Sequence, residues 1–139
     1  MSTCMPCALE HAAEERVVYR DETWACEVPE GYEVPGWFVL RLRRHAEGWH
    51  EPTAEELAGF GPVAKRIAGA LQEAADAVGT YFMSFGENYR HFHFLLTARP
   101  ADLAPEHRGG AIVGTRAARL DVESALSVAA EARRILAAA

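Results

Sequence analysis

Between residues 37 and 43 the chain alternates strictly. Trp37, Val39, Arg41 and Arg43 fall on one side of an extended segment, and Phe38, Leu40 and Leu42 on the other. The pattern predicts a strand with one face in the core, its two arginines as solvated edge residues. His91–Ala98 alternates in the same way, with His91, His93 and Leu95 opposite Phe92, Phe94 and Leu96. Thr80–Phe85 is β-prone and is joined to that segment by a turn containing Gly86 and Asn88. Nearer the N-terminus, Val17–Tyr19 and Trp24–Val28 flank Arg20-Asp21-Glu22, which reads as a hairpin turn, and Pro29 to Pro35 reads as a loop.

The period changes after Thr53-Ala54-Glu55-Glu56, a capping-box pattern. Leu57, Phe60, Val63, Ala64, Ile67, Leu71, Ala74, Ala75 and Val78 follow at helical spacing, with Gly79 as the stop. Pro62 interrupts this helix and is expected to kink it or move its start later. From Pro100 to about Leu120 the pattern is irregular; Asp121 then caps a final Ala-rich helix. Strands, a long helix, strands and a helix joined by short turns make an α+β domain. The expected architecture is an antiparallel sheet with one long helix packed on it and a C-terminal helix, spanning residues 1–139 as a single domain.

Composition narrows the function more than the fold. A formal net charge of -6 argues against a general affinity for nucleic acid or anionic membranes, and leaves room for a small anionic ligand held in one cleft. No apolar run reaches the length of a membrane span and no secretory signal opens the chain, so a cytoplasmic location is expected. The odd cysteine count fits a reducing compartment rather than a disulfide framework. Cys26, in an apolar stretch, reads as a buried small hydrophobe.

Two features carry chemistry. Imidazoles at His91 and His93 share one strand face, and a neutral imidazole near pH 7 is nucleophile, base or metal ligand. Cys4 and Cys7 form a C-x-x-C, and His45 ends the strand Leu40–His45. Two thiolates with two imidazoles compose the Cys2His2 set of a closed tetrahedral zinc site, which the fold would have to assemble because the separations are not those of a zinc finger. A redox pair or two unrelated cysteines is the competing reading. His11, His50 and His107 sit in charged or loop-like surroundings and read as surface residues, and core packing is the better reading of Trp24, Trp37 and Phe38.

Pro35-Gly36-Trp37-Phe38-Val39-Leu40-Arg41-Leu42-Arg43-Arg44-His45, the helix after it, and Ser84 to Pro100 around Arg90-His91-Phe92-His93-Phe94-Leu95-Leu96 resemble the histidine-triad superfamily of nucleotide hydrolases and transferases. The resemblance covers roughly residues 4 to 100, in the family's order of C-x-x-C, strand to histidine, helix and triad strand. It implies an enzyme acting at the α-phosphate of a nucleoside phosphate derivative through a nucleotidyl-histidine intermediate on His93. It places one structural zinc per chain on Cys4, Cys7, His45 and His91, and substrate contacts on Asn88, Leu95 and Arg99. Asn88 would position phosphate and the family's habit is a homodimer.

Two departures stand out. The third triad position is Leu95 rather than histidine, whose loss removes a phosphate donor worth roughly 3–4 kcal/mol of transition-state stabilisation; the uridylyltransferase branch carries a still polar glutamine there. The position equivalent to the family's ribose-binding acid is Pro29, with Glu27 and Glu30 nearby. The alternatives are a weak or inactive nucleotide- or metabolite-binding module, and a triad variant turned to a different substrate in a specialised pathway.

Overall fold

Five strands, β1 Val17–Arg20, β2 Trp24–Glu27, β3 Trp37–Leu42, β4 Gly79–Met83 and β5 His93–Arg99, pair throughout as antiparallel neighbours in the order β1-β2-β3-β5-β4. The computed structural model describes residues 4–139. Its helices are α1 Met5–Ala8, α2 Ala54–Ala58, α3 Phe60–Ala74, α4 Arg116–Arg119 and α5 Val122–Ala138. The β1–β2 turn closes because the Asp21 carboxylate accepts from the backbone N–H groups of Thr23 at 2.8 Å and Trp24 at 2.6 Å.

The long helix after Thr53 is two helices. Pro62 has no N–H to give the carbonyl of Ala58, so the ladder breaks at Gly59 and Pro62 becomes the third residue of α3, where no intrahelical donor is needed. The capping box forms at α2, with Glu56 N–H to Thr53 Oγ1 at 3.1 Å and Thr53 N–H to Glu56 Oε1 at 2.8 Å. Asp121 caps α5 through Ser124 N–H at 3.1 Å.

One sheet face carries Phe38, Leu40 and Leu42 of β3 beside Cys26, Phe94 and Leu96, and packs with Ile67 and Leu71 of α3 and Ala129 and Ala132 of α5. The opposite face is not the solvated face that alternation in β3 predicts. All six residues of β3 are buried. Val34, Leu103 and Ile112 cover Trp37 in a second apolar cluster. The stretch after Pro100 is ordered rather than irregular: 3-10 turns at Pro105–His107 and Gly109–Thr115 lead into α4. The second face of β3 is covered by this segment at Trp37 and by the N-terminal residues through Glu10 at Arg41.

Arg41 is the clearest correction. Expected on a solvated edge, it is fully buried and clamps the equally buried Glu27 through Nε to Oε1 at 2.8 Å and a second N–H to Oε2 at 2.6 Å. The same nitrogen lies 2.7 Å from Glu10, which also accepts two bonds from Arg43, and Arg20 reaches Glu27 at 2.9 Å. Arg43, foremost, and Arg41 hold the Glu10 carboxyl down at about 2 against the opposing effect of burial. Glu27 is thus engaged inside the protein and is not available to a ligand. The network ties the segment just after Cys7 to the middle of β3.

Candidate active site and metal centre

Cys4 and Cys7 come together because Cys4 is the N-cap of α1: its sulfur accepts from the Cys7 N–H at 3.4 Å. β3 runs toward them and ends near His45. His91 sits just before β5, bridged antiparallel to Glu47, with Phe92 N–H donating to the Ala46 carbonyl at 2.8 Å. The strand expected from His91 therefore begins two residues later, and the bridge turns His91 inward, where it is buried.

These four side chains converge. The ligand atoms of Cys4, Cys7, His45 and His91 all lie within 4.8 Å of one another. His45 Nδ1 is 3.6 Å from the Cys4 sulfur and 3.3 Å from that of Cys7; His91 Nδ1 is 3.4 and 3.3 Å from the same two atoms. Sulfur and nitrogen bound tetrahedrally to one zinc stand about 3.5 Å apart, given bonds of about 2.3 and 2.0–2.1 Å. The donor set and its separations fit zinc.

The tautomers agree. His91 Nε2 lies 2.5 Å from the Leu42 carbonyl, which only accepts, so Nε2 carries the proton and Nδ1 presents its lone pair to the sulfurs. Burial, foremost, with the charges of His45, Arg41 and His93, lowers the His91 pKa against the opposing hydrogen bond to Leu42, and the lowering favours the neutral ring that metal ligation needs. Without a cation, burial and the adjacent Cys4 push the Cys7 thiol up to about 11. On the outer side His45 Nε2 meets Glu47 Oε2 at 3.1 Å, a carboxylate placed as one that would orient a ligating imidazole. Nothing in the residue pattern marks Glu47 for this role.

Next to this cluster a cleft of about 240 Å³ opens on the second sheet face. His93 and Leu95 of β5 form part of its wall with Asn88 and Tyr89 of the preceding turn. His93 Nδ1 donates to the backbone carbonyl of His91, two residues back. That places a proton on Nδ1, so that in the neutral ring the lone pair lies on Nε2. Beyond His93 the floor is apolar: Leu95 is paired in register with Val39 on one side and Met83 on the other, and all three line the cleft. Tyr32 and Val113 face them, and Glu87 stands with Asn88.

Arg99 is not in this company. It lies at the far end of β5 with its guanidinium on the carbonyls of Pro100 and Ala101. His11, His50, His107 and Arg90 are exposed and outside the lining. The floor residues Val39 and Met83 were hidden in the sequence, since hydrophobic strand residues on a presumed core face carry no functional signal.

The chain superposes on a zinc-bound histidine-triad family protein from Mycobacterium smegmatis with a TM-score of 0.69, at 20% identity, covering 99% of this chain and 98% of that one. A hypothetical histidine triad nucleotide-binding protein from Sulfolobus tokodaii matches with a TM-score of 0.75 at 18% identity, over 97% and 93% of the two chains. The chain has the histidine-triad fold. A uridylyltransferase shares this fold over 97% of the present chain but only 45% of its own, with a TM-score of 0.67 and 21% identity. No protein-family model and no curated protein matches the sequence. Among the described residues, no helix of this histidine-triad fold is long and apolar enough to cross a membrane.

The metal centre makes a direct prediction. Purified protein is expected to contain about one zinc per chain, and Cys4→Ser to lose it; elemental analysis that finds stable, metal-free wild-type protein would refute the assignment. Glu47→Gln is expected to weaken zinc binding by about tenfold, the low end for an outer-shell carboxylate, because this one is partly exposed.

Proposed function

We propose that this protein is a nucleotide-binding hydrolase or nucleotidyl transferase in which His93 Nε2 attacks the α-phosphate of a nucleoside phosphate derivative. The observation that carries the reading is the His93 ring in the cleft wall, with Nδ1 committed to the His91 carbonyl. The lone pair on Nε2 forms the bond to phosphorus, and the leaving group departs with the bonding pair. The ring then carries a positive charge, which the His91 carbonyl stabilises through the retained Nδ1 proton. Water or another acceptor attacks the same phosphorus, the P–N bond breaks, and its electron pair returns to Nε2. Asn88, in the lining beside His93, is the side-chain amide placed to donate to a phosphoryl oxygen.

Zinc, bound by Cys4, Cys7, His45 and His91, would act as a structural cross-link. It would hold His91, whose carbonyl accepts from His93 Nδ1 and so orients that ring. The names of the solved neighbours, a nucleotide-binding protein and a uridylyltransferase, support the substrate class. A cytoplasmic setting fits cysteines kept reduced for metal.

The test is a rapid alkaline quench, in which a histidine phosphoramidate survives, with nucleotide labelled at the α-phosphorus. A phosphoramidate on His93 supports the reading; substrate consumed without label on the protein overturns it. A second reading, a binding module without turnover, is favoured by Leu95, which gives phosphate no donor. It predicts nucleotide binding in calorimetry with neither label nor product. We also propose that the protein is a homodimer paired along the β4 edge, where Val78, Phe82 and Phe85 are exposed. Sedimentation equilibrium should give twice the chain mass, and a monomer at micromolar concentration would exclude the pairing.

A further inference from the structure

The floor of the cleft and its charge narrow the substrate further. On β5, Leu95 stands two positions beyond His93 on the same face, about 6.5–7 Å along the strand. Its register partners Val39 and Met83 extend it across three strands into one apolar surface. Among the described residues, no lysine or arginine lines the cleft, and Glu87 is the one acid in its lining. Arg41, buried on this face, is committed to Glu27 and Glu10, and Arg116, stacked 5.1 Å from the ring centre of the lining Tyr32, donates to the Gly31 carbonyl.

A polyphosphate leaving group would lay two or more negative charges over leucine, valine and methionine with a carboxylate nearby. Desolvating such charges without donors costs several kcal/mol for each. A strongly basic leaving group, such as an amine or alkoxide, needs a proton as it departs, and Leu95 has none to give.

Taking the His93 reaction above as its basis, we propose that the cleft selects nucleotide derivatives whose α-phosphate bears an apolar acyl or aryl group leaving as a weakly basic oxyanion. In the first step His93 Nε2 bonds to phosphorus and the bond from phosphorus to the acyl or aryl oxygen breaks. Both electrons go to the departing carboxylate or phenolate, and no proton is required. In the second step water adds to phosphorus, the P–N bond returns its pair to Nε2, and the water proton is released to solvent. Leu95, Val39 and Met83 hold the apolar group and set the preference.

The experiment compares the benzoyl mixed anhydride of AMP, its 4-nitrophenyl ester and diadenosine tetraphosphate, each corrected for its rate with His93→Ala. The expected kcat/KM is at least tenfold higher for the benzoyl and aryl compounds than for the tetraphosphate. Leu95→Gln should narrow or reverse that ratio, chiefly through the tetraphosphate. Equal or faster turnover of the tetraphosphate by the native protein overturns the proposal. So does a folded Leu95→Gln variant, verified by circular dichroism, whose ratio is unchanged. If that variant does not fold, the native ratio alone decides. His93-dependent turnover of the tetraphosphate alone defeats only the apolar preference. Absence of His93-dependent turnover with all three defeats the phosphoryl-transfer reading and this inference with it.

Discussion

His93→Ala is expected to lower turnover on the order of 10⁴–10⁶-fold, as loss of a catalytic nucleophile or its base does in other covalent mechanisms. The protein should stay folded with zinc content unchanged. That separation follows from the structure. The side chain of His93 is only partly buried, and its one hydrogen bond runs to a backbone carbonyl. Removing the ring therefore leaves no buried partner unsatisfied beyond that carbonyl, and the four side chains of the Cys4, Cys7, His45 and His91 cluster do not include it. The measurement is kcat on a reactive nucleotide ester, with thermal melting and elemental analysis in parallel. A loss of less than tenfold would assign His93 to binding and favour the module without turnover. Loss of activity together with zinc would assign it to the scaffold instead.

How far the site was legible depends on how its parts are encoded. The alternation His91, His93, Leu95 against Phe92, Phe94, Leu96 exposes the strand and its two faces, although β5 itself starts at His93 and His91 lies buried just before it. Cys4, Cys7, His45 and His91 are recognisable as a donor set by chemistry, although only the fold brings them within reach. Arg41 and Glu27 were illegible for the opposite reason. A charged residue in an alternating strand reads as solvated, and only the N-terminal segment folding over that face, with Glu10 at its end, makes it internal. The apolar floor was equally hidden: Val39 and Met83 acquire a role only through their register with Leu95. The break at Gly59 was half legible, since Pro62 announces a defect without fixing which side of it the helix fails.

Glu27→Leu is expected to destabilise the protein by about 3 kcal/mol, the lower end for removing one member of a buried ion pair. At this chain length that is a fall of roughly 10 °C in melting temperature, compared at equal zinc saturation. The value sits at the lower end because Arg41 keeps Glu10 at 2.7 Å and Arg20 keeps the Leu9 carbonyl at 2.6 Å. Arg41 nevertheless stays fully buried with its Nη1 already lacking a partner, so it cannot recover solvation. Arg41→Met leaves Glu27 with only Arg20, a partner at the protein's margin whose side chain is 26% exposed. The double variant removes both charges at once, and its loss should be smaller than the sum of the single losses by at least about 1 kcal/mol. Additive losses, or single variants within about 0.5 kcal/mol of the native protein, would show that the two charges are hydrated rather than mutually dependent. The pair's influence should also reach the metal centre. Glu10 lies just beyond Cys7 in the chain and is gripped by Arg41 and Arg43, so the network presses the C-x-x-C turn against the strand that leads to His45. Weaker zinc retention in Arg41→Met, with every ligand intact, is the signature that distinguishes this clamp from a buried ion pair that only adds stability.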